Sequence, residues 1–506
     1  MRICSPKCWD GAHLGLGIVM NSLVIGAVAV AVLGAVTPAS AQASPGAAPT
    51  PVLGQFAPQP CWFPTPSEAG EVQCGQVRVV EGARPIDLSI VVLKSRQSPA
   101  APDPVVFVAG GPGSSAVRNP RRWFSDPIRD RRDLILFDAR GSWGSGPFCD
   151  ELAPVVLANY GADLSLNDQS VLSARAALAC AKRASETGID LGLYRTSAIA
   201  DDLNAIRRAL GVAQWNVFGV SFGTSVALAS ASLHPEGIRA IVLDSVSPAD
   251  ARWRAKGREN FESALARLLK ACSSDAVCAR EYPALKSKYE RALQSLTDRP
   301  LASPDGRVVM NPQDFIMIVH RLLYGPDTIA LAPFFIDRIE VRDAAVVGYL
   351  GAFLDGAVSG HAYGARWAID CQGRGVGTRV SRADRAFPIT SEYAAVCPVL
   401  GVANSDPRAV PGRIANPILV LGGEFDPITP PNVSRRVARS IDGASFVEFS
   451  AHGHGVTGSS PCARAVLRAF LDDPKSRVEA SCAKEGKTSF ATREDAPARL
   501  LAMRSR

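Results

Sequence analysis

The stretch Trp215-Asn216-Val217-Phe218-Gly219-Val220-Ser221-Phe222-Gly223-Thr224-Ser225-Val226-Ala227-Leu228-Ala229 decides the fold. An apolar run, a glycine-flanked serine and an alanine-rich run follow one another without a spacer. That order predicts a strand, a sharp turn and a helix, with the Ser221 hydroxyl lifted above a sheet in a G-x-S-x-G elbow. Glycines flank the serine because a tight turn brings backbone segments together, where a Cβ would clash. The bland alternative makes Ser221 the N-cap of a small-residue helix.

Outward from the elbow the same rhythm repeats. Pro104 to Ala109 is a short apolar strand running into Gly110-Gly111-Pro112-Gly113-Ser114-Ser115, and Leu134 to Phe137 runs into Asp138-Ala139-Arg140-Gly141-Ser142-Trp143-Gly144. Short apolar runs that end in glycine loops suit parallel strands buried on both faces. Ile199, Leu203, Ile206 and Leu210 have helical spacing, with Gly211 as the stop. Ile238 to Leu243 is a further strand, finishing in Asp244-Ser245. Upstream, Gln76 to Val80 and Ile86 to Leu93 read as a hairpin. Strand and helix alternate throughout, which predicts a doubly wound, mostly parallel α/β sheet over residues 61–249.

Residues 250–410 break the rhythm with helix-like stretches such as Arg258 to Cys272 and Pro283 to Leu296. The sheet pattern returns over 411–490, with strands at Pro417 to Leu421 and Ser445 to Phe449 and helices at Asn432 to Ser440 and Cys462 to Leu471. A helical insertion between two sheet segments is expected to form a cap over the carboxyl ends of the strands.

The 506 residues are 47% hydrophobic and 20% charged, enough for a large core plus an insertion. The net charge of +7 is scattered, without the Lys/Arg runs of a nucleic-acid binder. Residues 1–41 have the pattern of a secretory leader: Arg2 and Lys7, an apolar run from Leu23 to Val36, and Ala39-Ser40-Ala41 as the cleavage site. An uncleaved membrane anchor is the alternative reading. Residues 42–60, rich in Ala, Pro, Ser and Gly, are expected to be a flexible linker. Of twelve cysteines, Cys4 and Cys8 lie in the leader. The other ten have no C-x-x-C spacing and no nearby histidines, so they read as disulfides of a secreted or periplasmic protein rather than zinc ligands. Nearest-neighbour pairing is the simplest arrangement, and no cofactor or metal is implied.

A serine hydroxyl needs a base to take its proton and a carboxylate to orient that base, here in the chain order Ser, Asp, His. Of the six histidines, His234 closes the elbow helix, while His320 and His361 fall in the insertion. His452 and His454 follow the last strand, where the base is due. Glycine neighbours favour His454, with His452 as the alternative. Gly422-Gly423-Glu424-Phe425-Asp426-Pro427 supplies the carboxylate. Asp426, past the strand end, is preferred to Glu424. Two backbone donors are needed for the oxyanion, and these are assigned to Phe222 and Gly111.

With those residues placed, the chain resembles the proline iminopeptidase and tripeptidyl aminopeptidase branch of the α/β hydrolases, over about residues 61 to 485. Gly110-Gly111-Pro112-Gly113 is similar to its HGGPG loop, although Ala109 replaces the histidine. Asp138 to Ser145 is similar to its DQRG-x-G-x-S turn, and Gly219 to Thr224 to its GxSYGT elbow. Gly423 to Pro430 and Gly453-His454-Gly455 resemble its acid and base segments. Cys272-x5-Cys278 followed by Tyr282-Pro283 resembles the secreted tripeptidyl type. The resemblance implies release of short N-terminal pieces from peptides, with cap acids receiving the substrate ammonium. Ile369-Asp370-Cys371-Gln372 resembles a segment that often has an acid where Gln372 stands, which leaves Asp370, Glu259 and Glu262 as the candidate acids. A small peptide is the expected substrate. An esterase or amidase with the same triad, and a non-catalytic binding protein, are the competing readings.

Overall fold

The computed structural model describes residues 52–248, 256–349, 358–373 and 386–504. The leader reading and the first ten residues of the expected linker lie outside these residues.

Two strands, β1 (Phe56–Gln59) and β2 (Val72–Glu81), open a nine-stranded sheet. β3 (Arg84–Leu93), β4 (Val105–Val108), β5 (Leu134–Phe137), β6 (Trp215–Val220) and β7 (Ile238–Asp244) follow. The order is β1-β2-β3-β5-β4-β6-β7-β10-β11, completed by β10 (Ile418–Gly423) and β11 (Ser445–Phe449). β1 to β3 run antiparallel to their neighbours, and β5, β4, β6, β7, β10 and β11 are mutually parallel. The crossover order puts β6 at the centre, so Ser221 emerges between β4 and β7.

β1 corrects the flexible-linker expectation for residues 56–59. Phe56 to Gln59 pair with Val77 to Cys74, and the backbone gains a ladder that the proline-rich composition hides. Gly75 lets β1 cross at close range, since a Cβ there would sit 2.4 Å from the Ala57 carbonyl oxygen.

Both faces of the sheet are covered. One carries α1 (Leu152–Asn159), α2 (Leu166–Glu186), α3 (Thr196–Ala209) and α4 (Phe222–Leu233). The largest core cluster lies there, around Val217, Ile241 and Val420 with Ile199, Ile206 and Val226. The short strands are fully buried, which is why they are made of Val, Ile, Leu and Phe without alternation.

The insertion is helical, as expected. α5 (Gly257–Ser274), α6 (Ala276–Glu281), α7 (Leu285–Asp298), α8 (Pro312–Leu322) and α9 (Pro326–Glu340) share a core of their own around Phe315, Leu268 and Ile336. A two-stranded ribbon, β8 (Leu301–Ala302) with β9 (Val309–Met310), interrupts them. The later part of the insertion, α10 (Tyr363–Gly373) and α11 (Pro388–Val396), instead joins the main core through Trp367, Ile369, Tyr393 and Val396. α12 (Pro431–Arg439) and α13 (Pro461–Asp472) return to the sheet, and α14 (Ala496–Arg504) packs beside α9.

Candidate active site

Ser221 has φ 55° and ψ −121°, a region that non-glycine residues avoid. Such a residue costs on the order of 1–3 kcal/mol and persists only where its surroundings fix it. Here the surroundings are specific. The Ser221 amide donates to Asp244 O at 2.9 Å, and the Thr224 amide donates to Ser221 O at 3.0 Å. A Cβ on Gly219 would lie 2.5 Å from Gly223 O, and one on Gly223 would lie 2.1 Å from Val108 O. The elbow therefore needs both glycines for close approach rather than for unusual φ.

The carboxyl end of β7 fixes the base loop, a role that sequence reading missed. Asp244, fully buried, accepts hydrogen bonds from the Val456 amide at 3.0 Å and from the Thr457 amide and hydroxyl at 2.9 and 2.6 Å. The Ser245 hydroxyl accepts from the Gly455 amide at 2.8 Å. Burial raises the Asp244 pKa, although these donors and His454 act against it. The signal was present in the sequence as an acid directly after an apolar strand.

Asp138, directly after β5, does the same for the glycine loop. It accepts from the Ser115 hydroxyl at 2.7 Å, the Ala116 amide at 2.8 Å and the Gly144 amide at 3.1 Å. Gly111, at φ 106°, lines the same cavity as Ser221. A Cβ on its neighbour Gly110 would come within 3.0 Å of the Ser221 Cβ, so the loop lies directly against the serine. Phe222 is the first residue of α4.

His454, rather than His452, reaches the carboxylate. Its Nδ1 lies 2.8 Å from Asp426 Oδ2. Asp426 is fully buried and also accepts from the Ile428 and Thr429 amides, at 2.8 and 2.9 Å, and from the Thr429 hydroxyl at 2.7 Å. Burial alone would raise its pKa, but the His454 charge and these donors outweigh it and hold the group at about 2. The His452 Nδ1 instead meets Ser450 O at 2.8 Å. Glu424 instead accepts from the Ala451 amide at 2.9 Å. The glycines around His454 have backbone reasons: a Cβ on Gly453 would lie 1.9 Å from Leu323 O, at the end of α8, and Gly455 has φ 77°.

Ser221, His454, Gly110 and Gly111 line a cavity of about 360 Å³ beneath the insertion. His320 and His361 line it too. Burial, followed by Arg321, pushes His320 down to about 3, so it is neutral at ordinary pH. His234 is structural, with its ring between Asp201 at 2.9 Å and Asn204 at 3.1 Å.

None of the three expected substrate-binding acids lines this cavity. Glu259 pairs with Lys256 at 2.8 Å and Glu262 with Arg258 at 2.7 Å, both on the exposed face of α5. Helical spacing put the two glutamates on one side, and that side faces solvent. Asp370 is fully buried and accepts from the Tyr393 hydroxyl behind the cavity wall. The wall carries Glu392 on α11 instead. Glu392 makes no hydrogen bond or ion pair among the described residues. Burial raises its pKa to about 7, with Arg366 opposing and Asp370 adding to the rise. The available signal was that Glu392 is the single charged residue in Pro388-Ile389-Thr390-Ser391-Glu392-Tyr393-Ala394-Ala395-Val396.

Comparison with known proteins agrees with this architecture. Residues 103–271 match the alpha/beta hydrolase fold family, and residues 389–482 match the TAP-like protein family. The chain is 29% identical over 275 residues to serine protease Hip1 of Mycobacterium tuberculosis, covering 50% of this chain and 52% of that protein. It is 30% identical over 192 residues to tripeptidyl aminopeptidase of Streptomyces coelicolor, covering 35% of each. To a probable proline iminopeptidase of the same organism it is 26% identical over 286 residues, covering 53% of this chain and 77% of that one. The alignment thus spans about half the length of Hip1 and about a third of the tripeptidyl aminopeptidase. On its sheet topology, its elbow and these two matched segments, the chain has the α/β hydrolase fold, with a segment toward its carboxyl end that matches the TAP-like family.

Proposed function

We propose that the chain is an exported serine aminopeptidase that removes short N-terminal pieces from peptides. Ser221 Oγ attacks the scissile carbonyl carbon while His454 takes the hydroxyl proton, and Asp426 holds the imidazole and balances its charge. The Gly111 and Phe222 amides face the developing oxyanion. The C–N bond then breaks, His454 passes the proton to the departing amine, and water releases the acyl group from Ser221 by the same steps. The five disulfides fit an extracellular or periplasmic protein.

The observation that carries the exopeptidase reading is Glu392, an unpaired carboxyl in the wall of the cavity that also holds Ser221. A substrate ammonium would give it a hydrogen-bonded partner, which Arg366, near enough to act on its charge, does not provide. The test is hydrolysis of matched peptides with free and acetylated N-termini. Free peptides should be cut at least about tenfold better, the value of a hydrogen-bonded charge pair, and Glu392→Gln should collapse that preference. Equal cleavage of both forms would leave an esterase or amidase acting through the same residues.

A further inference from the structure

A second and larger cavity, of about 810 Å³, meets the first at the level of the triad. The two share Gly110, Ser114, Val220 and His454 as walls. The larger one touches His454 but not Ser221, whereas the smaller one holds Ser221 and Glu392. In serine acyl transfer the base hands its proton to the departing group, which therefore leaves on the side of the imidazole. Both cavities touch His454, and the larger one, away from Glu392, is the space left for that group.

Its charge is one-sided. Arg118, Arg122, Arg464 and Arg468 line it against Asp126. Arg464 is paired with Asp126 at 2.9 Å, and Arg468 with Asp130 at 3.2 Å. The guanidinium groups of Arg118 and Arg122 make no hydrogen bond or ion pair among the described residues. Arg122 is nevertheless held in place: its guanidinium lies 4.8 Å from the Trp123 ring centre and 5.6 Å from that of Phe107. Stacking on rings occupies the faces of a guanidinium and leaves its planar fork of N–H donors for an anion. Arg122 is exposed at the cavity, where Arg464 repels its charge and Asp126 attracts it.

We infer that this cavity receives a carboxylate on the leaving part of the substrate, with Arg122 as its principal partner and Arg118 beside it. The inference rests on the aminopeptidase reading and extends it to the other end of the substrate. Glu392 takes the ammonium on the acyl side, Arg122 takes a carboxylate on the leaving side, and the preferred substrates are short peptides that offer both. The carboxylate can be the peptide's own C-terminus or an acidic side chain next to the cut.

The test measures binding by calorimetry, independently of turnover. The probes are N-acetyl-dialanine and its C-terminal amide, which lack the ammonium that Glu392 would hold. The carboxylate form should bind at least about tenfold more tightly, and 0.5 M salt should reduce the difference because the pocket is open to water. Arg122→Met keeps a side chain over the two rings and should bring the two affinities together, while Arg122→Lys should retain part of the difference. An amidated probe ending in Asp separates the two sources: affinity restored by the side chain points to an acidic residue, and affinity not restored points to the C-terminus. Equal affinities in the wild-type protein, or a difference that survives Arg122→Met, would overturn the inference. Failure of the aminopeptidase reading shows separately, as equal cleavage of free and acetylated peptides.

Discussion

Ser221 is held at φ 55° by a backbone bond to Asp244 and by the contact of Gly223 with Val108, so its side chain can change while the turn stays. Ser221→Ala should therefore fold normally and lose turnover on the order of 10⁶-fold, as other serine triads do. His454→Ala should match it. His452→Ala should be far milder, because among the described residues its ring meets the Ser450 carbonyl and the Phe449 ring and not Asp426. Reversal of the two histidine phenotypes, read from kcat/KM, would reassign the base. Glu392 gives a pH signature at the same scale. Its folded pKa of about 7 is above the ordinary carboxylate value, so the group is charged above that pH and neutral below it. An ammonium is attracted only to the charged form. The ratio of kcat/KM for a free peptide to that for a small ester should then fall as pH drops through about 7, since any effect on the shared Ser221 chemistry acts on both substrates alike and cancels. A ratio that is flat from pH 5 to 9 would remove Glu392 from substrate binding. The residues of the proposed triad were legible in sequence because strand ends and glycine spacing announce them. Glu392 was not, because its position depends on how α11 packs against the core, which helical spacing alone does not reveal.

Among the elements, the loops at the carboxyl ends of the strands are fixed by acids that the chemistry does not use directly. Asp244 gathers three donors from Val456 and Thr457, and these set the path of the loop that carries His454. Asp244→Ala strands those donors in the interior. It should cost about 2–4 kcal/mol, as loss of a buried hydrogen-bond cluster does, and should lower kcat more than it raises KM. Denaturant midpoints and steady-state kinetics measure the two effects. An unchanged midpoint would mean that the loop is held by other contacts, such as Gly453 against Leu323. The strands themselves were readable almost to the residue, because a buried parallel strand must be short and apolar. Leu134–Phe137 and Ser445–Phe449 coincide with their expected ranges. β1 was not readable, because an edge strand beside a proline-rich run carries little apolar pattern of its own. What shapes it is its partner β2.

At the scale of the whole fold, five disulfides among the described residues join sequence neighbours: Cys61–Cys74, Cys149–Cys180, Cys272–Cys278, Cys371–Cys397 and Cys462–Cys482. The nearest-neighbour expectation holds for all of them, each closing a loop of 6 to 31 residues. Thiol titration of the denatured chain should accordingly find no more than the two thiols of Cys4 and Cys8. The bridges should not contribute equally. Cys371–Cys397 closes 26 residues and ties α10 to the end of α11, so it spans the elements that carry Arg366 and Glu392. Cys272–Cys278 closes only 6 residues, between α5 and α6. In the chain-entropy picture these loops contribute roughly 3.5 and 2 kcal/mol through the unfolded state. Replacing Cys371 and Cys397 with serine should lower the stability more than the same change at Cys272 and Cys278, by roughly 1 kcal/mol or more. It should also raise KM for free peptides, because the wall holding Glu392 loses its tether, while the Ser221, His454 and Asp426 cluster stands on separate strands. Denaturant unfolding of the two double variants, alongside kinetics on free peptides and small esters, reads both effects. Equal stabilities would show that the folded packing of α10 and α11, rather than loop closure, sets the contribution of that bridge. An unchanged KM would show that their buried residues, Trp367, Ile369 and Tyr393, suffice to hold the cavity wall.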